Sequence, residues 1–203
     1  MLFPDLFRDD VFLLETSRLW LRWPRATDAA NLQRFASLAE VAEMTASWPH
    51  PLPPMEADRR ILKARQSNAG GQSLVLALTR KKEPSRLIGI AGLHAEGGAE
   101  LGLGFMLDPA FHSRGFVTEA VAGMIDAVFM FSPFRLIRGD CRVDNPASRR
   151  VFEKCGFTLH GDSIVDAPAR RRPLPCHAFA LERSDWQGVQ AALPRDQTGR
   201  EAA

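Results

Sequence analysis

The sequence is poor in the residues that mark several specialised classes of protein. It contains no tyrosine and only three cysteines, Cys141, Cys155 and Cys176, which are odd in number and show no Cys-x-x-Cys spacing. This pattern predicts neither a disulfide framework nor a structural metal site, and it fits a reducing, cytoplasmic location. Without tyrosine, no phenol hydroxyl can act as a general acid in this chain.

Neither sign of charge dominates, and long apolar runs are missing. The chain has 26 Lys and Arg against 24 Asp and Glu, so it lacks the broad positive field of non-specific DNA-binding proteins. The basic run Arg170–Arg172 lies between two prolines, which is typical of a solvated loop; contact with RNA or a ribosome surface is the alternative. No window is apolar enough to span a membrane, and prolines and charges interrupt Met1–Asp10 too early for a signal peptide. We therefore expect neither DNA nor a membrane as a partner.

A length of 203 residues with 45% apolar side chains suits one domain of ordinary size. We place this domain at residues 14–189. Residues 1–13 are then an N-terminal extension, and residues 190–203 are a polar C-terminal tail.

The spacing of apolar residues predicts the secondary structure. Alternation indicates strands at 18–22, 74–78, 87–93, 101–107, 135–141, 157–164 and 176–181. Apolar stripes indicate helices at 55–68, 116–131 and 146–155, and a further helix after an N-cap at Thr27-Asp28. The proline-rich segment 48–54 cannot sustain a helix. Because strands come first in hairpins and later alternate with helices, we expect an α/β, or mixed α+β, fold with helices on both faces of a mixed sheet.

The first segment with chemical potential, Phe111–Ala120, joins a predicted strand to the longest helix. Backbone N–H groups in a first helical turn lack partners, and the helix dipole adds positive charge, so this junction favours an anion such as a pyrophosphate. Gly115 allows close approach of the backbone, and Arg114 adds a charged donor. The segment matches neither a Walker nor a dinucleotide loop. An ordinary glycine turn is the alternative.

The second segment, Val143–Phe157, starts another helix. Asn145 is a natural N-cap, Pro146 suits the first position, and Ser148 falls in the first turn. A hydroxyl there can donate a proton or a hydrogen bond to a developing thiolate, whose charge the helix dipole also favours. The alternative is that Asn145 and Ser148 only cap the helix.

The two segments, in this order and about thirty residues apart, make the sequence resemble the GNAT superfamily of N-acetyltransferases. It is similar to the branch of ribosomal-protein alanine and serine N-terminal acetyltransferases, which share the pattern Thr-x-Arg-Leu-x-Leu-Arg found here at Thr16–Arg22. The stretches Gly104–Pro109 and Asp144–Phe157 carry the rest of the resemblance, which extends from Leu14 to Trp186. It implies a GNAT fold with a mostly antiparallel sheet of about seven strands.

The resemblance implies acetyl-CoA as cosubstrate and CoA as product. The family's pyrophosphate loop, Gln/Arg-x-x-Gly-x-Gly/Ala, falls on His112, Gly115 and Val117, and two of these three depart from the usual types. The pantetheine is implied to lie where strand 101–107 splays from strand 135–141. The implied cofactor-binding residues are Phe105, Met106, Leu107, His112, Ser113, Arg114, Gly115, Phe116, Val117, Thr118, Asn145, Ser148 and Phe152.

The resemblance also implies catalytic roles. Many relatives use a tyrosine as the acid; since this chain has none, Ser148 is our candidate. The family's base is often a glutamate two residues before a Gly-aromatic pair, but Gly102 holds that position here. Glu100, two residues further back on the same strand face, is therefore our candidate base, with His94 and His177 as alternatives.

The acceptor site is implied near the early helices and their loop. The expected substrate-binding residues are Trp48, His50, His94 and His177. The expected activity is direct acetyl transfer, in a ternary complex, to the primary amine of a protein N-terminus, an amino acid or another small molecule, by a monomer or homodimer. The alternative is a catalytically weak sensor that binds acyl-CoA.

Overall fold

The computed structural model describes residues 12–186. The predicted tail 190–203 and all but the last two residues of the predicted extension 1–13 lie outside this range. The strands are β1 (Leu13–Glu15), β2 (Leu19–Arg22), β3 (Ser73–Arg80), β4 (Glu83–Gly97), β5 (Glu100–Leu107), β6 (Leu136–Arg142), β7 (Thr158–Val165) and β8 (Leu174–Glu182). The α-helices are α1 (Ala29–Ala36), α2 (Ala39–Ala42), α3 (Glu56–Ala69), α4 (Phe116–Phe131) and α5 (Pro146–Lys154).

One sheet contains all eight strands, in the order β1-β2-β3-β4-β5-β6-β8-β7. Every neighbouring pair is antiparallel except β5 and β6, which are parallel. The predicted mixed α/β architecture is confirmed. The additional strand relative to the sequence-based count is β1, which has only three residues and is too short to show an alternating pattern.

The helices cover both faces of the sheet. On one face, α4 packs its buried stripe against leucines of the central strands, including Leu76 and Leu103. On the other face, α1 and α3 enclose a smaller cluster that contains Phe35, Ile61 and Met106. No helix within residues 12–186 has the length and apolar character needed to cross a membrane.

The predicted helix α4 has the expected bounds, and its start shows why. Gly115 precedes it with φ 74°, a left-handed conformation that glycine adopts without a steric penalty. Asp28 holds the predicted N-cap position of α1, but its side chain makes no capping bond to that helix. The carboxylate instead accepts two 2.8 Å hydrogen bonds from the buried guanidinium of Arg22 and one from the Arg25 N–H. Because the Asp28 carboxylate is engaged in this buried ion pair, it does not cap α1.

The parallel strands β5 and β6 separate soon after they begin. Their register contains only the pairs Glu100/Leu136, Leu101/Ile137 and Gly102/Arg138. Beyond them the fully buried Phe152 ring packs on the sheet face above Gly139 and stacks on Phe179 with centroids 5.1 Å apart. A Cβ on Gly139 would lie 2.6 Å from Cζ of Phe152. An aromatic side chain from α5 thus occupies the space above β6 that a side chain at position 139 would need.

Candidate active site

A cleft of about 470 Å³ opens between the end of β5, the start of α4 and the first turn of α5. Eleven of the thirteen predicted cofactor-binding residues line it: Phe105, Met106, Leu107, His112, Ser113, Gly115, Phe116, Val117, Thr118, Asn145 and Ser148. Phe152 lines the adjoining cavity described below. The two segments singled out in the sequence therefore face each other across one opening.

The start of α4 has the geometry of an anion site. Ser113 and Gly115 both have positive φ, 59° and 74°, which curls the chain before the helix. The free N–H groups of the first turn then meet the cleft, since Phe116, Val117 and Thr118 line it. A Cβ on Gly115 would have Arg18 Nη2 at 3.5 Å as its only neighbour within 4 Å. This is a surface that a diphosphate can approach closely.

The opening stretch Thr16–Arg22 holds the loop before α4 in place. Arg18 donates from Nη1 to the Arg114 carbonyl at 2.8 Å and from Nε to Glu119 at 2.6 Å. The Thr16 hydroxyl donates to the same carboxylate at 2.6 Å. Burial raises the pKa of Glu119, but the hydrogen bonds from Thr16 and Arg18 outweigh it and the net pKa is lowered. Glu119 is therefore ionised, and its bonds to Thr16 and Arg18 join the first turn of α4 to the stretch Thr16–Arg22.

Two predicted loop contacts differ in the structure. Arg114 does not line the cleft; its guanidinium lies 5.7 Å from the centroid of the Phe111 ring. A contact between its side chain and the cofactor stays a prediction. His112 does line the cleft, but its Nε2 lies 3.1 Å from the Leu107 carbonyl. This bond ties the loop to the end of β5.

A second cavity, of about 550 Å³, lies under α3 and the loop that follows α2. It shares Met44, Thr45, Phe105, Met106 and Ser148 with the cleft, so the two spaces meet at the first turn of α5. Arg142 fixes this junction from β6 by donating from Nη2 to the Thr45 carbonyl at 2.7 Å.

Ser148 stands at the junction with its position set by the start of α5. Its backbone N–H donates to Oδ1 of Asn145 at 3.0 Å, which is the predicted N-cap. The Cys141 thiol beside it donates to the Asn145 carbonyl at 3.3 Å. Burial raises the pKa of Cys141, and the contacts with Ser148 and the Arg149 amide offset part of that rise. Capping therefore belongs to Asn145, and the hydroxyl of Ser148 remains at the opening.

His94 lines the second cavity and is supported by a chain of hydroxyls. Its Nδ1 lies 2.8 Å from Oγ of Ser73, which in turn accepts a 2.8 Å hydrogen bond from Ser67. Its Nε2 would lie 2.8 Å from a Cβ on Gly92, so that nitrogen projects along the glycine-lined floor. The imidazole is exposed to the cavity, and desolvation by the protein atoms around it, with the charge of Lys63 secondarily, lowers the pKa of His94. The imidazole is thus neutral at neutral pH and can accept a proton.

The predicted base Glu100 has a different position. Its carboxylate forms a 2.9 Å salt bridge with Nε of Arg138, and Glu100 lines neither cavity. The glutamate position that the family pattern places at Gly102 is filled in space by the carboxylate of Glu96, which a Cβ at Gly102 would overlap. The structure therefore favours His94, one of the sequence-based alternatives, over Glu100.

Two of the predicted substrate-binding residues lie away from the cavity. His177 on β8 pairs with Cys141 on β6. Because side chains alternate between the two faces along a strand, His177 lies on the sheet face opposite to Asp140, which lines the cavity. Its Nδ1 binds the Asp162 carboxylate at 2.9 Å. His50 lies in the proline-rich loop but does not line the cavity, whereas Trp48 does.

The three charged lining residues were all missed in the sequence: Arg60, Lys63 and Asp140. The Arg60 guanidinium lies 4.1 Å from the centroid of the Trp48 ring, which fixes that wall. Charged residues on a helix and a strand carry no local signature of a pocket, so only the packing of α3 on β3 could show them. Within the described part of the chain, no three side chains are grouped as metal ligands.

The fold and the two joined cavities define an acyl-CoA-dependent transferase. A family model described as an acetyltransferase (GNAT) domain matches residues 18–158. The chain therefore belongs to the GNAT acetyltransferase family, and acetyl-CoA is its cosubstrate. The anion site on α4 and the cleft beside β5 fit this cosubstrate in charge and shape.

Solved structures of other family members share the fold. The chain is similar to a GNAT acetyltransferase from Bacillus anthracis, with a TM-score of 0.73, 18% identity, and 85% and 99% of the two chains covered. For the ribosomal-protein-S5-alanine acetyltransferase from Vibrio fischeri, the values are 0.73, 17%, 86% and 98%. For spermidine N-acetyltransferase from Vibrio cholerae with CoA and spermine, they are 0.71, 15%, 84% and 99%. The curated proteins include no match to this chain.

Proposed function

We propose that this protein acetylates a primary amine by direct transfer within a ternary complex, with His94 as general base and Ser148 as general acid. One observation carries the proposal: the cleft above the α4 anion site and the cavity that contains His94 meet at Ser148. Both reactants can therefore be present at the same time, on either side of that hydroxyl.

Acetyl-CoA, when bound, supplies the activated carbonyl carbon that the amine attacks. The chain's contribution begins with binding. The first-turn amides of α4 hold the diphosphate. The edge of β5 that faces β6 has no strand partner beyond Gly102 and offers backbone donors and acceptors to the rest of the CoA molecule. The pair Gly104 and Phe105 then lies at the reacting end of the opening.

His94 prepares the amine. A neutral imidazole can accept the proton of the attacking ammonium group directly or through one water. His94 lies on β4 and is paired with Gly102, and the next pair on the same sheet face, Gly92 and Gly104, carries no side chain. The path from Nε2 across the floor of the cavity is therefore open.

Ser148 serves the leaving group. Its hydroxyl lies in the first turn of α5, where the helix dipole favours negative charge on a nearby sulfur. The hydroxyl can hydrogen-bond or donate a proton to that thiolate as the carbon–sulfur bond breaks. With no tyrosine in the chain, a serine in this position supports the same step with a shorter side chain.

The test combines kinetics with cofactor binding. We expect Ser148→Ala and His94→Gln each to lower kcat by about 10²-fold or more while the Kd for acetyl-CoA, measured by calorimetry, stays within about 3-fold. Glu100→Gln, which removes the partner of Arg138, and the exposed His160→Gln serve as controls with nearly unchanged kcat. Equal kcat in Ser148→Ala and wild type would remove Ser148 as the acid.

The sensor alternative has a distinct outcome in the same experiment. Tight binding of acetyl-CoA without release of free thiol across a broad panel of amines would favour it. The depressed pKa of His94 and the open floor in front of it are the observations that support turnover instead.

A further inference from the structure

The second cavity, called the acceptor cavity from here on, has a charge distribution that indicates which kind of amine it binds. We propose that the acceptor amine carries a carboxylate in the same molecule, and that Lys63 binds this carboxylate while the amine points to the β5–β6 gap. The inference rests on the proposed function, because it names the acceptor of that reaction. Its evidence is the charge distribution of the cavity wall.

Helix α3 presents a polar stripe to the cavity. Arg60, Lys63 and Ser67 follow one another at helical spacing and all line it. Arg60 is already engaged: it donates to Glu56 at 2.6 Å and to the Ser47 carbonyl at 2.5 Å. No carboxylate in residues 12–186 forms an ion pair with Lys63. Lys63 therefore contributes an uncompensated positive charge to this wall.

The opposite wall of the cavity carries negative charge. Asp140 on β6 is the one carboxylate among the lining residues that the structure describes, and its Oδ1 accepts a hydrogen bond from the Ser163 hydroxyl. A polyamine would need several carboxylates and would meet the Lys63 ammonium. An acceptor with an amine at one end and a carboxylate at the other matches the cavity at both ends.

The same arrangement links recognition to chemistry. His94 lies on β4, between α3 and the gap, and the charge of Lys63 lowers the pKa of His94. A carboxylate bound at Lys63 offsets that charge, so the imidazole becomes a stronger base when the correct acceptor is present. An amine without a carboxylate leaves the base weaker.

The experiment compares acceptors that differ only in charge. The probes are the standard amino acids against their α-carboxamides, and Ser-Glu against Ser-Gln as dipeptide amides. The first set tests a free amino acid as the source of the carboxylate, and the second tests an acidic peptide. We expect kcat/KM to be at least about 10-fold higher for the carboxylate member of one set.

Variants of Lys63 make the result specific. Lys63→Met should reduce this preference to about 1, Lys63→Arg should retain it, and Lys63→Glu should reverse it in favour of spermidine. Lys82→Met is the matched control, since Lys82 is an exposed lysine in the β3–β4 turn, at the far end of β4 from His94. It should keep the wild-type preference.

Binding of the preferred probe to the CoA complex, measured by calorimetry, separates the two proposals. Turnover with equal kcat/KM for carboxylates and carboxamides, or a preference unchanged in Lys63→Met, overturns the carboxylate inference and leaves the acetyltransferase mechanism intact. Lys63-dependent binding without turnover supports the inference and overturns the mechanism. Loss of both binding and turnover for every probe overturns both.

Discussion

Two glycines on neighbouring strands should respond to alanine in opposite directions. Gly104 on β5 and Gly139 on β6 border the same gap. A Cβ at Gly104 would meet no heavy atom within 4 Å, whereas one at Gly139 would overlap the Phe152 ring, with Cζ at 2.6 Å. Neither glycine has a positive φ, so backbone strain does not enter the comparison.

The magnitudes follow from these surroundings. Glycine inside a strand is less favourable than alanine by roughly 0.5–1 kcal/mol, so Gly104→Ala should raise the free energy of unfolding by this amount. In a domain of this size, each kcal/mol raises Tm by about 2–4 °C. Gly139→Ala must displace a fully buried ring and should destabilise by about 1–3 kcal/mol. Gly104→Leu, which extends into the acceptor cavity, should lower kcat/KM for the amine about 10-fold or more.

Thermal unfolding, steady-state kinetics and calorimetry with acetyl-CoA measure these effects separately. For Gly104→Leu, the Kd for acetyl-CoA should change far less than kcat/KM for the amine. The reasoning is refuted if Gly104→Ala destabilises as much as Gly139→Ala. It is also refuted if Gly104→Leu leaves amine kinetics unchanged, because the cavity would then not hold the acceptor.

Three further predictions follow from other contacts. Glu119→Gln removes the ionised carboxylate that Arg18 and Thr16 hold, so the Kd for CoA should rise about 10-fold by calorimetry, without a matching fall in kcat at saturation. Asp28→Asn leaves the buried Arg22 charge without its partner and should lower the free energy of unfolding in urea by about 3–5 kcal/mol; Glu153→Gln, in an exposed pair, should change it far less, and equal effects would contradict the role of burial. The folded-state pKa of His94 is below 6.5, so its stabilising contribution is complete above pH 6.5 and is lost as pH falls through the folded value; pH-dependent unfolding should therefore be flatter in His94→Gln, and unchanged curves would contradict the direction of that shift.

The sequence was sufficient for elements whose signals are local. Helix α4 has an apolar stripe and a glycine at its start, and its bounds agree with prediction. Asn145 and Pro146 likewise predicted the start of α5. These features depend on neighbouring residues, which a sequence displays directly.

The features that were missed depend on distant residues. Glu100 was chosen by counting along β5, but its partner Arg138 belongs to a strand that pairs with β5 at only three positions. His94 gains its lowered pKa from α3 and its support from β3, so its own segment gives no sign of either. The face on which His177 lies depends on the register of β8 against β6, which is a property of the sheet and leaves no mark in the segment itself.

The contact between Phe152 and Gly139 has a consequence for the other end of α5. Phe152 lies four residues after Ser148, so the two side chains project from the same side of the helix, and the buried ring stacked on Phe179 holds that side against the sheet. Phe152→Ala should therefore lower kcat as well as the free energy of unfolding, the latter by about 3–5 kcal/mol.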